Sequence, residues 1–263
     1  MNISFIGFGN MAKAMASRLQ QDKSHYLRAA SPSLPTGTNQ EGIDTFSDNT
    51  AILPDCDVLI LAVKPKDMSA VLPPIQPHIP KQCLVISIAS GLTLPWFSHI
   101  LPRTPIVRAM PNIAAIVGES ATPLFANTAV SDQQKKIAEQ VFLSIGLITW
   151  ATQESDIDAY TALSGSGPAY VFLFIEAMTK AAIHLGLTET IAESFALQTL
   201  QGAVTLAQNM PLSPKELRAR VTSPGGTTAA AIQVFTEHGF ESLIQTAMKA
   251  AYDRAQVLGQ QLP

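Results

Sequence analysis

Charged side chains are scarce in this chain of 263 residues. Asp, Glu, Lys and Arg together make up 14% of the sequence, against roughly 25% in ordinary globular proteins. The apolar share, 47%, is ordinary. A chain with so few charges for its outer surface is expected to bury part of that surface against a partner. The alternative is a monomer whose surface is rich in small and neutral polar residues.

Features of several other protein classes are missing as well. A net charge of −3 leaves no basic excess for binding nucleic acid. The two cysteines, Cys56 and Cys83, form neither a disulfide framework nor a metal-binding spacing, so we expect small buried hydrophobic residues and no metal site. The longest apolar run, residues 169–175, is far short of the roughly 20 residues that span a membrane. The amino terminus lacks the early positive charge of a signal peptide, and a cytoplasmic location is therefore expected.

The first 150 residues alternate short β-like segments with helical patterns. Residues 58–63 are continuously apolar, as in a central parallel strand that is covered on both faces. The predicted strands are residues 2–6, 26–30, 58–63, 84–88, 106–110, 122–126 and 147–151. Helices are predicted between them, including residues 11–21 and 131–144. This alternation predicts an α/β Rossmann domain with a doubly wound sheet over residues 1–152.

After Trp150 only helical patterns follow, which predicts an all-α domain over residues 153–263. The predicted helices are residues 156–163, 168–185, 189–208, 214–221, 227–238 and 241–260. The helix over 168–185 is apolar on every side and therefore needs cover on every side. Because a domain of this size offers little cover of its own, we predict a homodimer interleaved through the C-terminal helices.

A first glycine turn, Gly7-Phe8-Gly9-Asn10-Met11-Ala12, joins the first predicted strand to the first helix. In that position the pattern is typical of dinucleotide binding. Gly7 permits the tight turn, Gly9 lets the backbone approach the pyrophosphate, and Ala12 keeps the helix close to the sheet. The sequence therefore predicts a dinucleotide at the start of the chain.

The end of the second predicted strand indicates which dinucleotide binds. NAD-specific sites usually carry Asp or Glu there, to hold the ribose 2′-hydroxyl. Here no carboxylate follows Arg28, whereas Ser31 and Ser33 can donate hydrogen bonds to a 2′-phosphate. NADPH is therefore predicted as the preferred cofactor, with NADH as an alternative reductant. Asn49 either contacts the adenosine or caps a helix, and Lys64 either lies near the cofactor or is a solvated lysine at a strand end.

A second glycine turn, residues 222–228, opens another helix and is small enough to hold a carboxylate. We predict that the N–H groups of Gly225, Gly226 and Thr227 bind a substrate carboxylate, and that the Thr228 hydroxyl hydrogen-bonds a ring nitrogen. Neither turn contains a lysine, a histidine or a carboxylate. The substrate should therefore need no strong side-chain acid, as holds for a protonated imine. The alternative is a loop that merely joins two helices.

These segments together resemble the Δ1-pyrroline-5-carboxylate reductases, over nearly the whole chain. The motifs that carry the resemblance are Gly7 to Met11, Ala62-Val63-Lys64-Pro65, Ser87-Ile88-Ala89-Ser90-Gly91, Val107 to Asn112, Leu163 to Tyr170, and Leu217 to Thr228. The resemblance implies reduction of pyrroline-5-carboxylate to L-proline with NAD(P)H, by a Rossmann domain followed by a helical dimerisation domain. It also implies dimers that in some members assemble into decamers.

The resemblance also implies roles for individual residues. The cofactor site would be lined by Ser31, Asn49, Ala62, Val63, Lys64, Pro65, Ile88, Ala89 and Ser90. Thr227 and Thr228 would lie at the substrate. From its predicted hydrogen bond to the ring nitrogen, Thr228 is predicted to be the catalytic residue. The chain departs from the family pattern at Ile113-Ala114, Asn209, Ser213, Arg220 and Thr236.

Two other interpretations remain open at this point. A β-hydroxyacid dehydrogenase-like NADP oxidoreductase would have the same two-domain plan. Such enzymes carry a lysine three residues after a Gly-Ser-Gly-like turn, where this chain has Tyr170. A protein that senses NADP(H) without turnover would need only the first glycine turn, which would leave the second without a role.

Overall fold

The computed structural model describes the backbone of residues 1–261 and the side chains of residues 1–259. One nine-stranded sheet occupies the first 150 residues, in the order β3-β4-β2-β1-β5-β6-β7-β8-β9. The strands are β1 Asn2–Ile6, β2 Tyr26–Ala30, β3 Gly37–Thr38, β4 Asp44–Phe46, β5 Val58–Leu61, β6 Leu84–Ser87, β7 Ile106–Ala109, β8 Ser120–Ala126 and β9 Gly146–Trp150.

The sheet confirms the predicted doubly wound α/β fold. From β4 to β7 every neighbouring pair is parallel, whereas β8 runs antiparallel to β7. Strand order reverses between β1 and β5, and such switch points bind ligands at the carboxyl ends of the strands. All four residues of β5 are buried and divide between the cores on the two faces of the sheet. The seven predicted strands are present, and β3 and β4 are additional.

Five helices belong to the sheet-containing part of the chain. They are α1 Asn10–Leu19, α2 Met68–Ile75, α3 Leu94–Ile100, α4 Asp132–Leu143 and α5 Asp156–Tyr160, and a π-helical turn, Thr161–Gly165, follows α5. Helix α1 buries Ala12, Met15 and Leu19 along one face, as expected for a helix that packs on a sheet. Cys56 and Cys83 are buried as predicted, with their Sγ atoms 3.7 Å apart.

Five longer or capped helices complete the chain, and no strand follows Trp150 in the part that the structure describes. They are α6 Gly167–His184, α7 Glu189–Asn209, α8 Pro214–Arg220, α9 Thr227–Glu237 and α10 Phe240–Gln261. Ser213 and Glu216 form a reciprocal capping box that starts α8.

Contacts divide the chain into two compact units. One contains residues up to Pro168 and the end of α10 from Ala250, and the other contains Ala169–Lys249. Helix α5 and the π-helical turn therefore pack with the sheet rather than with the later helices. A domain boundary between residues 152 and 153 stays a prediction.

The helical unit leaves much of its apolar surface open. On α6, Val171, Phe172 and Leu173 are 50%, 57% and 67% exposed. Helices α6, α8 and α9 bury no residue at all within the chain. The apolar side chains of α6 are thus left uncovered by the rest of the chain, which is typical of a surface that a partner covers. Among the described residues no helix is both long enough and apolar enough to span a membrane.

Candidate active site

The first glycine turn lies where three strand ends meet. The Gly7 N–H donates to the Ala30 carbonyl at 2.8 Å, which ties the end of β1 to the end of β2. Gly7 has φ +82°, and a Cβ there would lie 2.8 Å from both the Ala62 oxygen and Val63 Cγ1 beyond β5. Only glycine combines this conformation with so close an approach. The sequence-based role of Gly7 as the tight-turn residue fits this geometry.

The rest of the turn presents backbone rather than side chains. Gly9 is the N-cap of α1, no side chain caps this helix end, and no atom lies within 4 Å of a Cβ built at Gly9. Phe8 instead packs edge-on against Phe5, with ring centroids 6.1 Å apart, and Ala12 is buried beneath the helix. The amides in the first turn of α1, which includes Asn10 and Met11, therefore have no side-chain acceptor at this helix end, as an anion site requires.

Ser31 and Ser33 lie just beyond β2, with their hydroxyl oxygens 3.2 Å apart. Arg28 is in the middle of β2, and its guanidinium lies 5.8 Å from the ring of Tyr26 at the opposite end of the strand. Tyr26 donates a hydrogen bond to Asp44, and this bond is the main reason that the pKa of the Asp44 carboxyl is lowered. Arg28 thus points away from the two serines, which leaves hydroxyls as the polar side chains at this strand end.

Asn49 begins a short 3-10 turn, but Asp48 caps it. The Asp48 carboxylate accepts the Thr50 N–H at 2.8 Å, and this bond lowers its pKa. The Asn49 side-chain oxygen is buried and has no hydrogen-bond partner in the part of the chain that the structure describes. A buried amide oxygen calls for a donor. The structure therefore gives the capping role to Asp48 rather than Asn49, and contact of Asn49 with the adenosine stays a prediction.

The loops after β5 and β6 complete the edge of the sheet beside the first glycine turn. Ala62 and Ile88 continue the strand pairing, with their N–H groups donating to the Ile6 and Leu61 carbonyls at 2.8 and 3.2 Å. Lys64 follows β5, is exposed, and precedes a 3-10 turn that begins at Pro65. Topology therefore brings the predicted cofactor residues of these two loops to one edge, with Ala62, Val63, Lys64 and Pro65 after β5 and Ile88, Ala89 and Ser90 after β6.

The second glycine turn lies in the helical unit at the start of α9. Gly226 is the N-cap, no side chain caps α9, and Thr227 and Thr228 are its first two residues. Gly225 has φ +70° and open space around it. The Gly226 N–H donates to the Ser223 carbonyl at 3.1 Å, so the turn itself uses one of the three amides assigned to a carboxylate. The helix start is therefore without a side-chain cap, and the hydroxyls of Thr227 and Thr228 lie beside it.

A buried ion pair adjoining the site was not predicted. Arg108 on β7 is 4% exposed, and its Nη1 lies 2.9 Å from Oε1 of Glu154. Asp158 lies 3.9 Å from Arg108 Nη2, and burial raises the pKa of the Asp158 carboxyl. In the sequence, the feature that could have indicated this ion pair is Arg108 itself, an arginine within the otherwise apolar strand Ile106–Ala109. In the described residues no group of three or more His, Cys, Asp or Glu side chains is placed to hold a metal ion.

Comparisons with known proteins cover both units. Residues 154–258 match the family model described as pyrroline-5-carboxylate reductase dimerisation, and residues 2–91 match that described as NADP oxidoreductase, coenzyme F420-dependent. A pyrroline-5-carboxylate reductase of Pseudomonas aeruginosa is 41% identical over 99% of this chain and 97% of its own length.

Solved structures give the same result. A pyrroline-5-carboxylate reductase of Coxiella burnetii superposes with a TM-score of 0.90 at 38% identity, covering 98% of each chain. A pyrroline carboxylate reductase of Plasmodium falciparum, solved with NADP bound, superposes with a TM-score of 0.89 at 30% identity, again over 98% of each chain.

Gly7→Ala and Gly9→Ala should differ in stability. At Gly7 the substitution costs roughly 1–2 kcal/mol for the left-handed conformation alone, with the clash against Ala62 added. We expect the melting temperature to fall by about 4 °C or more. Gly9→Ala has a normal φ and open space, and only the weaker N-cap preference of alanine opposes it, so its melting temperature should fall by less than that of Gly7→Ala. Equal melting temperatures for the two variants, measured by calorimetry without ligands, would contradict this account of the turn.

Proposed function

We propose that this chain, which belongs to the pyrroline-5-carboxylate reductase family, reduces Δ1-pyrroline-5-carboxylate to L-proline with NADPH. The observation that carries the proposal is 41% identity, over 99% of the chain, to a curated reductase of that name. This likeness favours the reductase over a β-hydroxyacid dehydrogenase-like enzyme and over a sensor without turnover. The product identifies the reaction as the last step of proline biosynthesis.

The first unit supplies residues that suit a dinucleotide. The uncapped start of α1 and the bare Gly9 backbone suit a pyrophosphate, because unpaired N–H groups and the helix dipole both favour an anion. The orphaned Asn49 oxygen suits a donor on the adenosine. The paired hydroxyls of Ser31 and Ser33 suit a 2′-phosphate. We assign the remaining contacts to the backbone and side chains of residues 62–65 and 88–90.

The second glycine turn is the proposed substrate-binding element. Its helix start suits the carboxylate of the imino acid, through the amides of Gly225 and Thr227. The third predicted amide, that of Gly226, donates to the Ser223 carbonyl instead. Thr228, half-buried at the second position of α9, is the proposed catalytic residue. The turn itself, residues 222–228, contains no charged side chain.

In the proposed reduction, the main task of the protein is to orient the cofactor and the substrate, and little proton transfer by side chains is required. When bound, NADPH supplies the hydride that adds to the C=N carbon. The Thr228 hydroxyl can accept from the N–H of a protonated imine and can donate to the amine lone pair that forms as the C=N bond is reduced. Since the substrate nitrogen enters with its proton, no strong acid is required in either glycine turn.

The proposed working form is a homodimer in which a second copy covers the open face of the helical unit. The exposed Val171, Phe172 and Leu173 on α6 support this, as does the match of residues 154–258 to a dimerisation model. Self-association also accounts for the low charge content. Assembly of these dimers into a decamer is the alternative to a free dimer, and the proposed location is the cytoplasm.

Thr228→Ala tests the proposed chemistry. With pyrroline-5-carboxylate as substrate, the wild type should oxidise NADPH, followed by its absorbance. The variant should lose roughly 10- to 1,000-fold in kcat if the hydroxyl bond strengthens in the transition state. Thr228→Ser should recover most of the loss. Thr236→Ala is the matched control, because the Thr236 hydroxyl bonds within the same helix to the Ile232 carbonyl. Wild-type turnover in Thr228→Ala would remove Thr228 from the mechanism.

Ser31→Asp tests the cofactor preference. A carboxylate at the end of β2 would repel a 2′-phosphate and accept from a 2′-hydroxyl. The ratio of kcat/KM for NADPH to that for NADH should therefore fall by about tenfold or more, as for a loss of about 1.4 kcal/mol. Ser17→Asp adds the same charge on the exposed side of α1 and should leave the ratio unchanged. A wild type that uses NADH as well as NADPH would refute the preference.

Phe172→Glu tests the homodimer. Light scattering should give the wild type a mass of about 56 kDa, twice the 28.1 kDa of the chain, or five times that for a decamer. The variant should dissociate or unfold, because a charge in an apolar interface is costly. Leu143→Glu is the control, since Leu143 in the sheet unit is equally exposed at 57%. A wild-type monomer that remains active on dilution would exclude an obligate dimer.

A further inference from the structure

Arg108 is a charged side chain in the middle of an apolar sheet. Its strand neighbours Val107 and Ala109 are fully buried, and Arg108 itself is only 4% exposed. Burying a guanidinium is unfavourable unless it is paired and hydrogen-bonded. The ion pair with Glu154, at 2.9 Å and with side chains 5% and 19% exposed, supplies that partner.

Glu154 does more than neutralise Arg108. Its Oε1 also accepts the backbone N–H of Leu94 at 2.7 Å. Leu94 is the first residue of α3, so this bond secures the end of the loop that runs from β6 to α3, residues 88–93. One carboxylate oxygen thus joins β7, the loop end and the segment before α5.

The other end of the 88–93 loop is secured at the strand. Ser87 is buried, lies opposite Arg108 in the sheet register, and accepts the Ala89 N–H on its hydroxyl at 3.3 Å. Ile88 donates to the Leu61 carbonyl at 3.2 Å. Residues 88–90, which we assign to the cofactor site, lie between these anchors.

We infer that Glu154, held in place by Arg108, is a positioning residue that sets the conformation of the 88–93 loop and thereby the affinity for NADPH. The inference rests on the proposed function, because it takes residues 88–90 as cofactor contacts. Glu154 acts through Leu94 and has no role in proton transfer. It is therefore expected to alter nucleotide affinity rather than binding of the imino acid, whose proposed carboxylate site is on α9.

Asp158 provides a built-in comparison. Both carboxylates line the same small cavity of about 210 Å³, together with Gly91, Thr93 and Arg108. Asp158 is the more distant partner, 3.9 Å from Arg108 Nη2, and its exposed fraction of 19% equals that of Glu154. Glu154 differs from it in binding the Leu94 N–H. A purely electrostatic or structural effect on Arg108 would appear in variants of both residues, whereas loop positioning requires Glu154.

The test compares Glu154→Ala, Glu154→Gln and Asp158→Ala in the full chain. NADPH affinity is measured by fluorescence titration, and KM for pyrroline-5-carboxylate and the melting temperature are measured in parallel. Glu154→Ala should weaken NADPH binding by about tenfold, the effect of losing one charge-assisted hydrogen bond. Its KM for pyrroline-5-carboxylate should change by less than about twofold. Glu154→Gln keeps an acceptor for Leu94 and should recover most of the affinity, and Asp158→Ala should bind NADPH as the wild type does.

Two results would overturn the inference. One is wild-type NADPH affinity in both Glu154 variants, even with a lowered melting temperature. The other is an equal loss of affinity in Glu154→Ala and Asp158→Ala. If Glu154→Ala does not fold, Glu154→Met replaces it, because methionine fills a similar volume without an oxygen acceptor for the Leu94 N–H. Equal NADPH affinities in Glu154→Met and Asp158→Asn would then overturn the inference. Failure of the proposed function has a different signature, namely a wild type that binds NADPH without reducing pyrroline-5-carboxylate.

Discussion

The close approach of three strand ends at Gly7 is the constraint on which the first unit depends. The Gly7 amide binds the end of β2, and its missing side chain leaves room for the backbone that follows β5. This contact brings the chain sharply from β1 into α1 and leaves the start of that helix uncapped. A tight turn and an uncapped set of amides are therefore consequences of the same packing, and together they support the proposed anion site at the switch point of the sheet.

Both proposed ligand sites use helix starts rather than charged side chains. Gly9 and Gly226 are N-caps without a side-chain acceptor, and each leaves backbone amides for an anion. Neutral amides bind a phosphate or carboxylate without adding a titratable group. Such sites suit a reduction in which the substrate nitrogen already carries its proton, and they fit a chain in which charge is scarce.

The low content of charged residues and the exposed apolar side chains of α6 both indicate a surface suited to association with a partner. Helix α6 exposes Phe172 and Leu173 to solvent within a single chain. The sheet unit, by contrast, has two buried hydrophobic cores. A partner that covers these side chains would therefore stabilise the helical unit. In the proposed homodimer, folding of the helical unit is coupled to association. Dilution of the protein would therefore lower the stability of this unit.

The sequence by itself determined the element types, the two-part organisation, both glycine turns and the family. These depend on local signals, namely hydrophobic periodicity, glycine placement and capping residues such as Ser213. Strands β3 and β4 escaped prediction because their three or fewer residues carry little periodic pattern. Only the tertiary structure decided that Asp48 rather than Asn49 caps its turn, that Arg28 points away from Ser31, and that Arg108 and Glu154 meet. These depend on side-chain direction and on contacts 46 residues apart, which no local pattern encodes.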